Sequence, residues 1–187
     1  MRRALLINGP PASGKTSLGL RIASLLTLPF LSRDTVKEPL FDVLGTPDRD
    51  TNRALGRASL EIIWSVIADF PDEVNVVVEA WFGAPPYDDV LAGLGRARIG
   101  GVAELWCHAP GDVLAARYAE RVGQRHPGHP DASYAPELTL LAPRVAAMGI
   151  GPVFAVDTSD LARVDVQEIA RWVTAELKLA QRSVHTE

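Results

Sequence analysis

Gly9-Pro10-Pro11-Ala12-Ser13-Gly14-Lys15-Thr16 sets two glycines five positions apart and follows the second with lysine and threonine. The chemistry of that spacing is phosphate binding. Glycines let the backbone curl so that successive N–H groups point inward at an anion. A helix opening near Gly14 adds the positive end of its dipole. Lys15 is placed to reach the β- and γ-phosphates of a nucleoside triphosphate, and the Thr16 hydroxyl to coordinate Mg²⁺. Of the 19 basic residues only Lys15, Lys37 and Lys178 are lysines. Lysine at this position is informative, because a phosphate-binding lysine is a compact, flexible point charge that arginine does not replace. Gly9, Pro10, Pro11, Ala12, Ser13, Gly14, Lys15, Thr16 and Ser17 are therefore the expected triphosphate contacts.

Such a loop works only between a strand and a helix, and both neighbours are present. Ala4–Asn8 is a short apolar run before it, and Ser17–Leu26 places Leu18, Ile22 and Leu25 or Leu26 on one stripe after it. Four further apolar runs, Leu28–Leu31, Asn75–Glu79, Val102–Cys107 and Val153–Asp157, read as strands buried on both faces. Thr51–Phe70, Pro110–Arg125 and Val164–Arg182 carry helical spacing between them. Alternating strands and helices predict a parallel, doubly wound α/β sheet. At 187 residues the chain suits one domain, with no repeat, low-complexity tract or linker to divide it. Residues 45–52 and 123–136 are polar breaks suited to mobile flaps, and Ser183–Glu187 is expected to fray.

Composition narrows the partners. A formal charge of −4 gives no electrostatic reason to expect nucleic acid or an anionic membrane. No segment approaches the roughly 20 apolar residues that span a bilayer, and no stretch reads as a signal peptide. Cys107 is the sole cysteine, which precludes an intramolecular disulfide and reads as a buried, inert thiol. A cytoplasmic setting is the expectation.

On Ile7–Thr16, and again on Leu31-Ser32-Arg33-Asp34-Thr35-Val36-Lys37, the chain resembles the small P-loop kinases, whose relatives include polynucleotide 5′-kinases, gluconate kinases, chloramphenicol phosphotransferase and the zeta toxins. The resemblance implies a P-loop NTPase fold of five parallel strands in the order 2-3-1-4-5, helices on both faces and a lid. It makes Asp34 the base that accepts the acceptor's hydroxyl proton and Lys37 the group holding the acceptor or a phosphate. Asp34 could also cap a helix starting near Thr35, and the two roles are compatible. Glu79 ends an apolar strand as a Walker B acid does, although that acid is usually Asp, so Glu79 binds either Mg²⁺ or the acceptor. Trp81 and Phe82 could stack on a ring-bearing acceptor or pack in the core. Arg117, Arg121 and Arg125 fall at i, i+4 and i+8. The resemblance makes Arg117 and Arg121, more than Arg125, lid arginines that stabilise charge during transfer, and it sets Asp157 and Thr158 beside the adenine. Arg53 and Arg57 could grip an anionic group on the acceptor or form a solvated face. His126 and His129 lack the further ligands a zinc site needs and read as turn residues; His108 is uninformative.

The chain is thus expected to be an ATP- and Mg²⁺-dependent kinase of a small-molecule hydroxyl (nucleoside, sugar or antibiotic-like), with residues 32–70 receiving the acceptor and 117–140 forming the lid. A nucleic-acid 5′-end kinase and a non-kinase NTP-binding regulator are the alternatives. Oligomeric state leaves no sequence signal.

Overall fold

In residues 1–45 and 48–179, which a computed structural model describes, each of the five apolar runs contributes a strand. They are β1 (Arg3–Asn8), β2 (Phe30–Ser32), β3 (Val76–Glu79), β4 (Gly101–His108) and β5 (Val153–Asp157). All neighbouring pairs are parallel and the order is β2-β3-β1-β4-β5, as expected. Parallel neighbours require crossovers. These carry α1 (Lys15–Leu26), α2 (Arg33–Leu44), α3 (Arg49–Ala68), α4 (Asp88–Arg96), α5 (Gly111–Arg121) and α6 (Ala135–Leu141), and α7 (Val166–Glu176) follows β5.

Strand alternation divides the core. Leu5 and Ile7 of β1 face α1 and α7, packing on Leu18, Ile22, Ile169 and Val173. Ala4 and Leu6 point the other way, onto Ile63, Trp64 and Ile67 of α3 and Val90 and Leu94 of α4. A smaller cluster joins α5 to α6 through Leu114, Tyr118 and Leu138. Among the described residues no helix is long and apolar enough to cross a membrane.

Several boundaries differ from the sequence pattern. The second strand is Phe30–Ser32 rather than Leu28–Leu31, because the Leu28 N–H closes the end of α1 on the Ala23 carbonyl at 2.9 Å. The last helix stops at Glu176, before a left-handed turn at Lys178 (φ 52°), instead of running to Arg182. Residues 180–187, including the end expected to fray, lie outside the described residues, as do 46 and 47 of the first polar break. Helices α2, α4 and α6 were not resolved by periodicity: α2 contains Pro39, α4 has nine residues and α6 seven.

The end of β1 is fixed by an acid the sequence hides inside an apolar run. Glu104 of β4 is fully buried. Its carboxylate accepts from Asn8 Nδ2 at 2.9 Å, from the Met148 N–H at 2.9 Å and from the Gly149 N–H at 3.0 Å. Asn8 Oδ1 in turn accepts from the Gly9 N–H at 2.8 Å. The first residue of the phosphate loop is thereby tied to the segment leading into β5. Replacing Glu104 with Ala orphans the buried Asn8 amide, at about 1–3 kcal/mol, and leaves the more exposed Met148 and Gly149 N–H groups to solvent. Glu104→Ala should therefore lower stability by about 2–3 kcal/mol, read as a lower urea midpoint at unchanged m, with Glu104→Gln losing less. A loss below about 1 kcal/mol for the alanine variant would show that the network does not anchor the loop.

Candidate active site

The loop from Gly9 to Gly14 leaves β1 at the C-terminal edge of the sheet, where the chain's crossovers reverse direction and ligands of open α/β folds bind. Two glycines are sterically required there. A Cβ on Gly9 would collide with the Cys107 carbonyl. Gly14 has φ 74° and would place a Cβ 2.8 Å from Leu161. Gly14 is also the residue preceding α1, and no side chain caps that helix, so its first N–H groups remain available to an anion. The Ser13 hydroxyl is buried with no hydrogen-bond partner among the described residues. Thr16 is exposed on the cavity wall with Pro11, Ala12 and Lys15, and Ser17 is exposed on the next position of α1. A backbone cradle free of Cβ atoms, an unspent buried hydroxyl and an accessible threonine fit a magnesium-bound triphosphate.

Lys15 turns back over the loop. Its Nζ lies 3.3 Å from the Pro10 carbonyl and 3.7 Å from Glu79 Oε1. Burial lowers its pKa, opposed chiefly by Glu79 and then by Asp34. Glu79 is itself buried and accepts from Ser32 Oγ at 2.6 Å. It therefore stands behind Lys15 and Ser32, out of solvent.

Asp34 sits in the first turn of α2, whose N-cap position is Ser32, so it does not cap the helix. Arg33 Nε is 3.7 Å from its carboxylate, Arg125 Nη2 3.4 Å and His129 Nε2 4.0 Å. Burial acts to raise the Asp34 pKa, but Arg33, His129, Lys15 and Arg125 together hold it below the ordinary carboxylate range. Lys37, one turn further along α2, is buried, donates to Asn52 Oδ1 at 2.7 Å and lies 5.0 Å from the Phe41 ring centroid. Burial, followed by the neighbouring Arg33, lowers its pKa to about 8. Lys15, Asp34 and Lys37 share a cavity of about 460 Å³ with Trp81, Phe82, Arg53, Arg57, Arg121 and Arg125.

Arg125 does not continue the helix face of Arg117 and Arg121. The α-helix ends at Arg121 and residues 122–124 form a 3₁₀ turn, after which Arg125 is extended, which breaks the i+4 register. Arg125 reaches Asp34. Arg121 is exposed on the cavity wall. Arg117 lies off that wall and donates to the Ser159 carbonyl at 2.8 Å, beyond the end of β5. Thr158 is buried, and its hydroxyl is spent on the His108 carbonyl at 2.8 Å, leaving no side-chain donor for a nucleotide. Asp157 is occupied by the Ser159 N–H at 2.8 Å.

His126 and His129 are more than turn residues. His126 Nε2 lies 3.0 Å from Asp42, His129 Nε2 lies 2.9 Å from Glu38, and Asn52 donates to the Gly128 carbonyl at 2.5 Å. The segment following α5 is clamped onto α2 and α3 across the cavity. The available signal was the i, i+4, i+8 spacing of Asp34, Glu38 and Asp42 on α2, an acidic stripe opposite Arg125, His126 and His129. Asp34, Glu38 and His129 bring three potential metal-ligand atoms within 4.8 Å of one another.

Against known proteins, the structure matches a protein of Chloroflexus aurantiacus j-10-fl assigned as a kinase, with a TM-score of 0.84 and 31% identity over 94% of this chain and 98% of that one. A gluconokinase from Sinorhizobium meliloti 1021 aligns with a TM-score of 0.57 and 25% identity over 94% and 91% of the two chains. In sequence, a cytidylate kinase of Ignicoccus hospitalis is 34% identical over 124 residues, and the match spans 64% of each protein. No protein-family model matches the chain.

The cradle's geometry predicts the behaviour of its lysine. MgATP should raise the melting temperature of the wild-type protein by an amount growing with ln(1 + [L]/Kd). Lys15→Ala should abolish that shift at the same concentration, as read by differential scanning fluorimetry; an undiminished shift would remove Lys15 from the phosphate site.

Proposed function

This chain belongs to the small P-loop kinase family, and we propose that it transfers the γ-phosphate of ATP, with Mg²⁺, to a hydroxyl of a small molecule. The observation that carries this reading is the meeting of the phosphate-loop lysine and a cation-ringed carboxylate, Asp34, on one cavity of about 460 Å³. That size suits a small ligand, and the clamp of residues 125–130 onto α2 and α3 favours such a ligand over a polymer end. Residues 32–70 receive the acceptor and residues 117–140 form the lid.

Phosphoryl transfer asks the protein mainly for positioning and charge neutralisation. The loop N–H groups and Lys15 hold the β- and γ-phosphates. Thr16 supplies an oxygen for Mg²⁺, which when bound neutralises phosphate charge, and Glu79 is close enough to Lys15 to hold that amine or to support the metal. Asp34 accepts a hydrogen bond from the acceptor hydroxyl and orients its oxygen toward the γ-phosphorus. The new O–P bond forms as the bond from that phosphorus to the β–γ bridging oxygen breaks; ADP leaves and the hydroxyl proton passes to Asp34. Because its pKa is depressed, Asp34 is a weak base that acts chiefly by orientation, which suits a loose transition state in which the proton moves late. Arg121 and Arg125 face the phosphates and stabilise their developing charge. Arg117, beside the turn after β5, instead borders the nucleoside end of ATP.

Two sets of variants test these assignments. Asp34→Asn should keep the MgATP thermal shift while lowering kcat by about 10²- to 10⁴-fold; full turnover by this variant would end the base assignment. Arg125→Ala should lower kcat by about 10²-fold or more, whereas Arg117→Ala should raise the KM for ATP with a smaller effect on kcat. The reverse pattern in steady-state kinetics would return the lid role to Arg117.

A further inference from the structure

The acceptor end of the cavity is built with more positive charge than its own acids cancel. Lys37 is buried yet has no carboxylate hydrogen-bond partner among the described residues; its amine donates to the neutral amide oxygen of Asn52 at 2.7 Å. Arg33 donates to the Trp81 carbonyl at 2.7 Å, and its Nε is buried without a hydrogen bond among the described residues. Arg57 lines the same wall and makes no ion pair among the described residues. Gly56, on the turn of α3 facing Lys37, is the complementary feature. A Cβ there would touch Lys37 Cε and Nζ at 3.6 Å. That is an ordinary contact distance, so glycine leaves the space beside the amine unfilled without being sterically required.

One and two turns further along α3 the wall changes character. Leu60 and Trp64 line the cavity with Phe82. Trp64 is almost fully buried, and Glu61, which pairs with Arg96, and Asp89 line the cavity beside it, so this end is an aromatic, apolar recess with two acids at its side.

We infer that the acceptor is an organic anion: a hydroxyl compound whose carboxylate or phosphate sits against Lys37, Arg33 and Arg57 while a flat, apolar portion occupies the recess at Leu60, Trp64 and Phe82. The inference rests on the kinase reading above. Asp34 and Lys37 are three positions apart on α2, which sets the reacting hydroxyl and the anionic group about 5 Å apart along the helix. An arriving anion would also restore favourable charge pairing to Lys37, whose pKa burial and Arg33 lower to about 8. Neutral polyols would bring no counter-charge to Lys37 and Arg57 and would leave the aromatic recess poorly filled.

The test is a library of hydroxyl compounds in which each anion is paired with a neutral analogue, incubated with the full chain, ATP and Mg²⁺ and read by mass gain of one phosphoryl group. Shikimate against its methyl ester forms the carboxylate arm, cytidine 5′-monophosphate against cytidine the phosphate arm, and gluconate against glucose an arm without a flat ring. The inference expects kcat/KM at least tenfold higher for the anion of a ring-bearing pair than for its neutral partner; the arm that responds identifies the anionic group. For the responding compound, Lys37→Gln and the exposed Arg57→Gln should each raise the acceptor KM about tenfold or more, while the KM for ATP stays within about twofold. Preference for neutral members, for gluconate over every ring-bearing anion, or an unchanged acceptor KM in Arg57→Gln would overturn the inference and leave the kinase reading standing. Phosphorylation of no member would sink both.

Discussion

The ligand cavity depends on satisfying the hydrogen bonds of its cations without cancelling their charge. Lys37 is held by the amide oxygen of Asn52, Arg33 by the Trp81 carbonyl and Lys15 in part by the Pro10 carbonyl. Neutral acceptors prevent the cost of an unpartnered buried donor, yet leave the positive potential intact for an incoming anion. The arrangement is expensive in an empty cavity, and the depressed pKa values of Lys15 and Lys37, led in both cases by burial, register that expense. A carboxylate beside every cation would make a more comfortable resting protein and a poorer phosphate site. Glu79 stands behind Lys15 and Asp34 at the rim, and Glu61 and Asp89 line the cavity wall, fewer acids than the cations they face.

The same device appears with reversed sign inside the sheet. Glu104 is a fully buried carboxylate whose hydrogen bonds come from an amide side chain and two backbone N–H groups rather than from a cation. At the opposite edge, Arg2 is buried, and its Nη1 and Nη2 donate to the carbonyls of Ala97, Phe70 and Pro71, with Asp72 3.8 Å away, closing the ends of α3 and α4 as a cation does at helix C-termini. These uncharged partners fix position without recruiting a cation from the catalytic rim. Through Asn8, the Glu104 anchor sets where the phosphate loop begins. Through Met148 and Gly149 it sets the approach to β5, whose final turn holds Arg117.

What the sequence disclosed follows the range of the interactions involved. The phosphate loop was legible because its glycines, lysine and threonine are contiguous and its flanking strand and helix are adjacent. The sheet order followed from the resemblance that this loop and Asp34 support. The lid was read less well. Equal spacing of Arg117, Arg121 and Arg125 predicts one face only while a helix continues, and three residues of 3₁₀ turn after Arg121 were enough to send Arg125 toward Asp34, while Arg117, still within α5, is taken up by the Ser159 carbonyl. The histidines looked idle because their partners are on α2, 84 and 91 positions away. Glu104 passed unnoticed inside a strand of valine, alanine, leucine and tryptophan, although an acid in such a run signals a buried hydrogen-bonded site.

In the proposed reaction, the contact between Arg125 and Asp34 links the lid to the base. At 3.4 Å, with the carboxylate side chain 38% exposed, the pair is half-solvated and contributes little to stability. It nevertheless helps depress the Asp34 pKa. A triphosphate in the cradle offers Arg125 more negative charge than one carboxylate can. The rest of its segment stays fastened through His126 to Asp42, His129 to Glu38 and Asn52 to Gly128, so the guanidinium can change partners without the lid opening. As it turns to phosphate, one of the cations depressing Asp34 is withdrawn and the carboxylate becomes a better proton acceptor. In that reaction nucleotide binding would thereby make Asp34 a better proton acceptor at the position where the acceptor hydroxyl arrives.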